Sequence, residues 1–334
     1  KQTMNWASQL GKYGIQAGGS VVGTIPVDWF ILAGGGGGGT GQSSHQGGGG
    51  GGGGLRSSYD RGPGGQSPST PAPGCSREAQ FMFIQGETYV ITVGAGGAKG
   101  PGGRNAGLDG GSSSISGAGI TTITATGGGG GGQGSGNPTD APNPHPIDVI
   151  MGRLGASSGG NASSDQNAGQ GSAPGVLSGI PLQGYAGGIG AVGQGWGGGG
   201  GGAGGVGGQA PDYASQAAAG LHWDNNIMGS PSPEIGLWGK GGRTIGPSSP
   251  GTTNLGHGGN GGHRMTNPGG VEGPPSSVNT DGGSGTVAIR MATPLYTHDG
   301  ARDPEDFFPG SNASASTIGG DTIIRFIATG TYVA

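Results

Sequence analysis

Short apolar runs that pass directly into runs of glycine form the main pattern of this chain. Val27–Thr40 reads VDWFILAGGGGGGT, and the same order returns at Thr88–Gly97 (TYVITVGAGG) and Ile120–Gly132 (ITTITATGGGGGG). The order is reversed at Gly282–Met291, GGSGTVAIRM. Runs of this length, rich in Val, Ile, Thr and aromatic residues and bounded by glycine, are typical of β-strands. The pattern predicts a small β-framework from which long glycine segments extend.

This pattern assigns elements along most of the chain. It predicts strands at Val27–Leu32, Phe81–Ile84, Thr88–Val93, Ile120–Ala125, Thr286–Met291, Thr322–Ile327 and Thr331–Val333. Between them it predicts glycine segments at 34–39, 47–54, 94–111, 127–132, 184–208 and 241–285.

The distribution of these elements suggests three parts. Residues 1–26 are interpreted as an N-terminal attachment segment, and 293–334 as a polar link followed by closing strands. Residues 27–292 form the predicted glycine-rich domain. Polar, proline-containing stretches inside it predict loop insertions at 55–80, 133–183 and 210–240.

Composition alone would favour disorder. Glycine and proline supply 92 and 23 of the 334 residues, against an average of about 12% for the two together. Little apolar surface is then left to offset chain entropy. The net charge of −4 is, however, small for a disordered chain. Glycines also recur every third residue, as at 94, 97, 100 and 103, which is the period of a polyproline-II helix.

Glycine segments of this kind can fold only by bonding to each other. An extended threefold helix has no internal hydrogen bonds, yet every buried N–H and C=O needs a partner. A bundle of such helices supplies those partners, and only glycine allows the close spacing. The predicted fold class is therefore mostly irregular with minor β: short β-strands brace a bundle of extended polyglycine-II helices, with little or no α-helix.

Candidate chemistry is sparse. Cys75 is the only cysteine, so neither a disulfide framework nor a zinc site is predicted. Lys99 and Lys240 are each followed by glycine, which excludes a phosphate-binding P-loop. His257 and His263 lack nearby carboxylates and are predicted to be solvent-exposed rather than metal ligands. We therefore predict no catalytic residues, no cofactor and no metal, and a protein that is not an enzyme.

Charge and hydropathy restrict the partners. Lys and Arg total only 14 and form no basic patch, which argues against nucleic acid. The longest apolar run is about seven residues, well short of the roughly 18 that span a bilayer, so no membrane insertion is predicted.

One aromatic cluster stands out from its glycine-rich and polar surroundings: Tyr213, His222, Trp223 and Trp238. Tyr and Trp are enriched at binding surfaces because they offer a large contact area with few rotatable bonds. These four residues are the candidate receptor-binding site. The alternative is that they cap the glycine bundle as local core. Trp196, just before six glycines, is predicted to pack against the bundle.

The chain resembles the glycine-rich domain of bacteriophage tail fibres and tail-tip adhesins. The similarity lies in the ordered series VDWFILAGGGGGG, GETYVITVGAGGAKGPGGRNAGLDGGSSSI, TTITATGGGGGG and GGSGTVAIRM, and in the ending DTIIRFIATGTYV. It covers residues 27–334. Members of that family are similar in stacking glycine helices as a sandwich, with variable loops at the tip meeting the host surface.

This resemblance implies a non-enzymatic virion protein, extracellular, in a tail fibre or other external structure. Its expected partners are a bacterial surface receptor, either a glycan or an outer-membrane protein, and other virion proteins or copies of itself. Two alternatives remain open: a purely structural fibre, appendage or virion-surface subunit without receptor contact, and an ice-binding glycine-helix protein. An ice-binding protein would need a flat, regular face of small residues.

Overall fold

The computed structural model describes most of the strands and glycine segments. The described residues are 23–41, 45–59, 78–101, 105–134, 150–162, 183–191, 195–210, 217–223, 225–229, 237–244, 251–262, 279–293 and 313–334. The predicted attachment segment 1–26 lies largely outside them.

Ten strands and no helical element make up the regular secondary structure of the described part. They are β1 (Thr24–Leu32), β2 (Leu55–Ser57), β3 (Phe81–Ile84), β4 (Thr88–Thr92), β5 (Ser113–Gly117), β6 (Ile123–Ala125), β7 (Thr286–Ala292), β8 (Ala313–Ile318), β9 (Asp321–Phe326) and β10 (Gly330–Val333). The predicted minor-β, helix-poor class is confirmed.

The strands form two antiparallel sheets. The larger has the order β2-β1-β7-β9-β8, with β3 also pairing with β1, and the smaller has the order β10-β4-β5-β6. Within the larger sheet, β1 lies beside β7 with Trp29 opposite Ile289. β1 has nine residues and is buried along most of its length. Val27 and the run from Trp29 to Leu32 are fully buried.

The two sheets enclose one hydrophobic core. The larger sheet contributes alternate residues of β1, β7 and β9, and the smaller contributes Tyr89, Ile91, Ile115 and Tyr332. The rings of Phe83 and Tyr89 stack with centroids 3.8 Å apart. Because side chains on a strand alternate between faces, this core uses only one face of each sheet.

The glycine segments continue from the strand ends and bond to one another. Successive amides of residues 34–39 donate to three segments in an order that repeats after three residues: 105–111, then 279–283, then 47–54. The carbonyl groups of 34–39 accept, in the same rhythm, from three further segments: 127–134, 94–100 and 256–262. Segment 34–39 is therefore surrounded by six others. We call the set of mutually bonded glycine segments the glycine bundle.

A second segment of the bundle repeats this arrangement. The amides of residues 47–53 donate in turn to 256–262, 129–132 and 198–201, again with a period of three. The contacts leave no room for side chains. A Cβ at Gly50, for example, would overlap the carbonyl oxygen of Gly36. The interior of the bundle thus consists of backbone.

Several predicted boundaries differ from the observed ones. β1 begins three residues earlier than the predicted Val27–Leu32, and β6 covers only the second half of Ile120–Ala125. The predicted single segment 94–111 is two antiparallel ones, since Gly111 donates to Ala95 and Leu108 to Ala98. Strands β2, β5 and β8 were not predicted, because their residues are mostly small or polar.

Stretches assigned to loops or to a separate link also belong to the fold. Within the predicted insertion 133–183, residues 153–161 bond to the bundle through Arg153, whose amide donates to Gly130. Of the predicted link and closing strands at 293–334, the described residues 313–334 belong to both sheets, because β9 pairs with β7 and β10 with β4.

Candidate functional site

The glycine bundle has two chemically different ends. At the proximal end it joins the sheets, where the amide of Ala33 donates to Gly54 and Ser113 bridges Gly94 and Leu32. At the distal end the segments terminate in polar residues. The hydroxyl of Thr40 there donates to the Asn105 carbonyl at 2.9 Å.

Many of the described segments begin or stop at the distal end. Six stretches outside the described residues are flanked on both sides by residues at that end: 42–44, 102–104, 135–149, 192–194, 211–216 and 263–278. The flanks are close in space. The Asn105 side chain donates to the Pro101 carbonyl at 2.7 Å, and the Ala191 amide donates to the Trp196 carbonyl at 2.8 Å.

The longest of these stretches are anchored in the same way. Gly134, before 135–149, donates to Thr40, and Ile150, after it, accepts from Ala162 at 2.9 Å. Gly262, before 263–278, donates to Gly39 and lies against Asn279 across that stretch. The bundle therefore holds both ends of each stretch in a fixed place.

Polar side chains close the distal ends of individual segments. The side-chain amide nitrogen Nδ2 of Asn279 donates to the carbonyls of Gly38 and Gly100, at 3.2 and 2.9 Å. The side-chain oxygen of Asn161 accepts from the amide of Gly152 at 2.9 Å. Sequence reasoning missed these residues, although an Asn or Thr beside a glycine run is a recognisable signal for a side chain that replaces a backbone partner.

Small apolar residues also meet at this end. Ala191, Ala210 and Ala217 form a buried cluster, and the half-buried Trp196 packs against it. The prediction that Trp196 packs against the bundle is confirmed. Thr244 joins the cluster by accepting from the Ala217 amide at 3.0 Å.

The structure describes three of the four residues of the predicted aromatic site, namely His222, Trp223 and Trp238. Trp223 and Trp238 lie at the proximal end, where each donates its amide to the carbonyl of the other at 2.8 and 3.0 Å. Tyr213 lies outside the described residues. The residues that flank its stretch, Ala210 and Ala217, belong to the distal cluster.

Trp238 belongs to a second hydrophobic core on the outer face of the larger sheet. It is fully buried, and its ring lies tilted against Phe30 at 4.9 Å. Its indole N–H donates to the Asn225 carbonyl at 3.3 Å, and the Arg325 guanidinium lies over its ring at 6.0 Å. Trp223 is 8% exposed in the same core. This burial corresponds to the bundle-cap alternative, and it leaves Trp238 without surface for direct contact with a ligand.

Two histidines lie near the proximal end. His222 is half-buried beside Trp223 in the chain. His257 is half-buried, not solvent-exposed as predicted, and its Nε2 lies 2.6 Å from the Leu237 carbonyl. Burial is the main cause that lowers the pKa of His257 below its ordinary value of 6.5. Neutral imidazole with a proton on Nε2 fits this contact, because the nitrogen then donates to the carbonyl.

Several charged groups in the described part form ion pairs with each other. Arg56 pairs with Glu78 through its Nε at 2.9 Å, and Arg153 pairs with Asp109 at 2.8 Å. Among the described residues no three His, Cys, Asp or Glu side chains lie close enough to hold a metal ion. Nor does any helix within the described ranges have the length and hydropathy to cross a membrane.

Comparison with known proteins identifies one family. A family model described as a glycine-rich domain matches residues 16–292, and the chain belongs to that family. Neither the curated proteins nor the solved structures include a match to this chain.

Proposed function

Taking membership of this glycine-rich domain family as the premise, we propose that the protein is a non-enzymatic component of a bacteriophage virion. In this proposal it is a tail-fibre or adhesin domain on the outside of the particle. Loops at the distal end of the glycine bundle contact a bacterial surface receptor, which is a glycan or an outer-membrane protein. The sheets lie toward the rest of the virion, which consists of other virion proteins or copies of this chain.

The proposal includes a conformation for the glycine segments, namely polyglycine-II helices. Its support is the hydrogen-bond rhythm, in which the partner changes with each residue and returns after three. A threefold helix turns each successive amide toward a new neighbour in this way. Hydrogen exchange tests it: the amides of Gly34–Gly39 should be protected, and complete exchange within seconds would contradict it.

The observation that carries the proposed function is the location of the residues that flank six stretches of the chain. These flanking residues lie at one end of the bundle, opposite the sheets. Binding residues are disproportionately found on loops positioned by a rigid scaffold. A scaffold whose interior is backbone has no rotamers to change, so it would hold these loops at a fixed distance from the sheets.

The candidate receptor-binding residues are revised accordingly. Trp238 and Trp223 support the site indirectly by packing the proximal end, and His222 lies at that same end. Tyr213 stays a candidate for direct contact, because its stretch 211–216 is flanked by distal residues.

Replacement of connecting stretches tests this function. In one variant, 263–278 is replaced by a short Gly-Ser linker, which the nearby Gly262 and Asn279 can accommodate. In the matched control the same linker replaces 60–77, a stretch whose flank Glu78 donates its amide to the Ser57 carbonyl at the edge of the larger sheet. Fluorescently labelled full-length protein is then bound to a panel of bacterial cells.

Two outcomes separate the proposals. Loss of cell binding in the distal variant alone supports receptor contact by distal loops. Equal binding by wild type and both variants contradicts it. The burial of Trp223 and Trp238 favours one second candidate, a structural virion or appendage subunit without receptor contact. That candidate predicts no binding by the wild type to any cell on a panel that includes the host.

A further inference from the structure

Strand β8 is the outer edge of the larger sheet. It pairs only with β9 among the described strands, from Ala313 opposite Phe326 to Ile318 opposite Asp321. The hairpin turns through Gly319 and Gly320, whose φ angles are 59° and 90°. Two consecutive residues with positive φ make a type I′ turn, the tight connection that matches strand twist. The turn fixes the register of β8 and the side of the strand that faces outward.

Among the described residues, the backbone groups on the outer side of β8 have no hydrogen-bond partner. In an antiparallel pair, alternate residues point their N–H and C=O toward the partner strand. The residues that flank a two-residue turn bond to each other, so Ile318 faces Asp321. Counting back by two, Ala313, Ala315 and Thr317 direct their amides and carbonyls away from β9.

The side chains of β8 leave this edge open. Ser314 to Thr317 are exposed, and the strand contains neither charge nor proline. Proteins usually protect sheet edges with charges, proline or short strands. Two other described edges fit that rule better: β2 and β6 have three residues each, and β2 carries the paired Arg56. The edge strand β10 of the smaller sheet is also uncharged, but it has only four residues, against six in β8.

The sequence of β8 is nearly palindromic about Ala315. Serines lie on either side at 314 and 316, and small residues follow at 313 and 317. A two-fold axis through Ala315 would place Ser314 opposite the second copy's serine at 316, and Ala313 opposite its Thr317. Both pairs are small, and serine pairs across strands can hydrogen-bond. A foreign strand would need no such symmetry.

We propose that β8 is a self-association surface, at which a second copy of this chain adds its own β8 in antiparallel register about Ala315. The two larger sheets then become one continuous sheet, by β-strand addition with two-fold symmetry. This contact lies on the sheets and not at the distal end of the bundle, so it is independent of receptor binding.

Sedimentation of the full-length chain over a range of concentrations tests the proposal, under reducing conditions so that Cys75 cannot cross-link. Thr317→Lys places a charge on the edge, and Thr331→Lys makes the same change at an exposed position of β10. We expect a monomer–dimer equilibrium that Thr317→Lys weakens by about tenfold or more, roughly 1.4 kcal/mol. Thr331→Lys should leave it unchanged.

Hydrogen exchange of the wild type provides a second readout that needs no variant. The amides of Ala313, Ala315 and Thr317 should become protected as the dimer forms, while their neighbours on β9 stay as they were. A chain that remains monomeric at all concentrations would overturn the proposal. So would a dimer that resists Thr317→Lys, or one that forms without protection of these amides.

Discussion

The chain has two interiors of different composition. One is the hydrophobic core between the two sheets, which together we call the β-sandwich, and the other is the glycine bundle. In the sandwich, side chains fill the space between backbones, as with Tyr89, Ile91 and Ile115. In the bundle, backbones fill the space themselves, and each inner glycine lies against the carbonyl groups of neighbouring segments. The sandwich is stabilised by removing apolar surface from water. The bundle has almost no such surface and depends on satisfied backbone hydrogen bonds.

This difference should govern how each region responds to substitution. A side-chain core tolerates residues of similar volume, since neighbours can repack. The interior of the bundle consists of backbone and has no side-chain rotamers that could change. A Cβ added at an inner glycine must therefore displace a whole segment. The sandwich also supplies the apolar burial that the bundle lacks, which indicates that the sheets stabilise the bundle.

The largest effect is expected from a side chain inside the bundle. In Gly50→Val the new Cβ would overlap the carbonyl oxygen of Gly36. Relief requires separation of two segments and loss of their hydrogen bonds. We expect a loss of more than about 5 kcal/mol in the free energy of unfolding, beyond the usual range for one substitution. Chemical denaturation measures it, and Gly129→Val, which meets the Arg153 carbonyl, should behave similarly.

The matched control is a glycine in the sandwich. A Cβ at Gly330 in β10 would meet only the ring of Phe326, at 3.8 Å or more, which is ordinary contact. Gly330→Ala should therefore be neutral or stabilising by up to about 1 kcal/mol, because alanine restricts the unfolded chain. Equal stability of Gly50→Val and Gly330→Ala would remove the close-packing argument.

A cavity in the side-chain core should have the next largest effect. Trp238 is fully buried against Phe30, so Trp238→Ala should destabilise by about 3–5 kcal/mol. Leu237→Ala, at the 36% exposed neighbour, is the control and should change little. Melting temperature and cell binding are measured on the same samples. Lost binding with an unchanged melting temperature would restore Trp238 as a contact residue and contradict the core assignment.

A hydroxyl group where the two regions meet should have a smaller but measurable effect. The Ser113 side chain accepts from the Gly94 amide at 2.9 Å and donates to the Leu32 carbonyl at 2.8 Å. Ser113→Ala leaves both buried groups unpaired and should cost about 1–3 kcal/mol. Ser114→Ala, one residue on and half-buried, should cost much less. If Ser113→Ala and Ser114→Ala have the same melting temperature, the link from sheet to bundle does not depend on Ser113.

The strands of the sandwich were easier to predict from the sequence than the pairing of segments in the bundle, for a physical reason. Apolar alternation reports which strands bury a face, so β1, β4, β7 and β9 were predictable to within a few residues. β5 (SSISG) and β8 (ASASTI) lack that signal because their neighbours, more than their own side chains, place them in a sheet. Glycine has no side chain to report a partner, so the pairing of 34–39 with six segments could not be read from sequence.

The candidate site was predictable only in part for the same reason. Trp223 and Trp238 were recognisable as an aromatic pair, but aromatic composition does not distinguish a surface from a core. Both are buried because they pack in one core with Phe30 and Leu255, which are distant from them in the chain. That the residues flanking six stretches lie at one end of the bundle is likewise a property of topology.

The smallest expected effect concerns pH at the proximal end of the bundle. Burial lowers the pKa of His257 in the folded chain below 6.5, so the unfolded chain binds a proton at higher pH than the folded chain does. The stability that neutral His257 contributes is therefore fully present above pH 6.5. It is lost as the pH falls through 6.5 toward the lowered pKa of the folded chain. We expect the melting temperature to decrease on acidification from about pH 7.5 to pH 5.5.

His257→Gln keeps a donor for the Leu237 carbonyl but does not titrate, so it should reduce this decrease. The other histidines are present in both proteins, so the difference between the two pH profiles reports His257 alone. Identical profiles would show that the imidazole is as free to take up a proton in the folded chain as in the unfolded one.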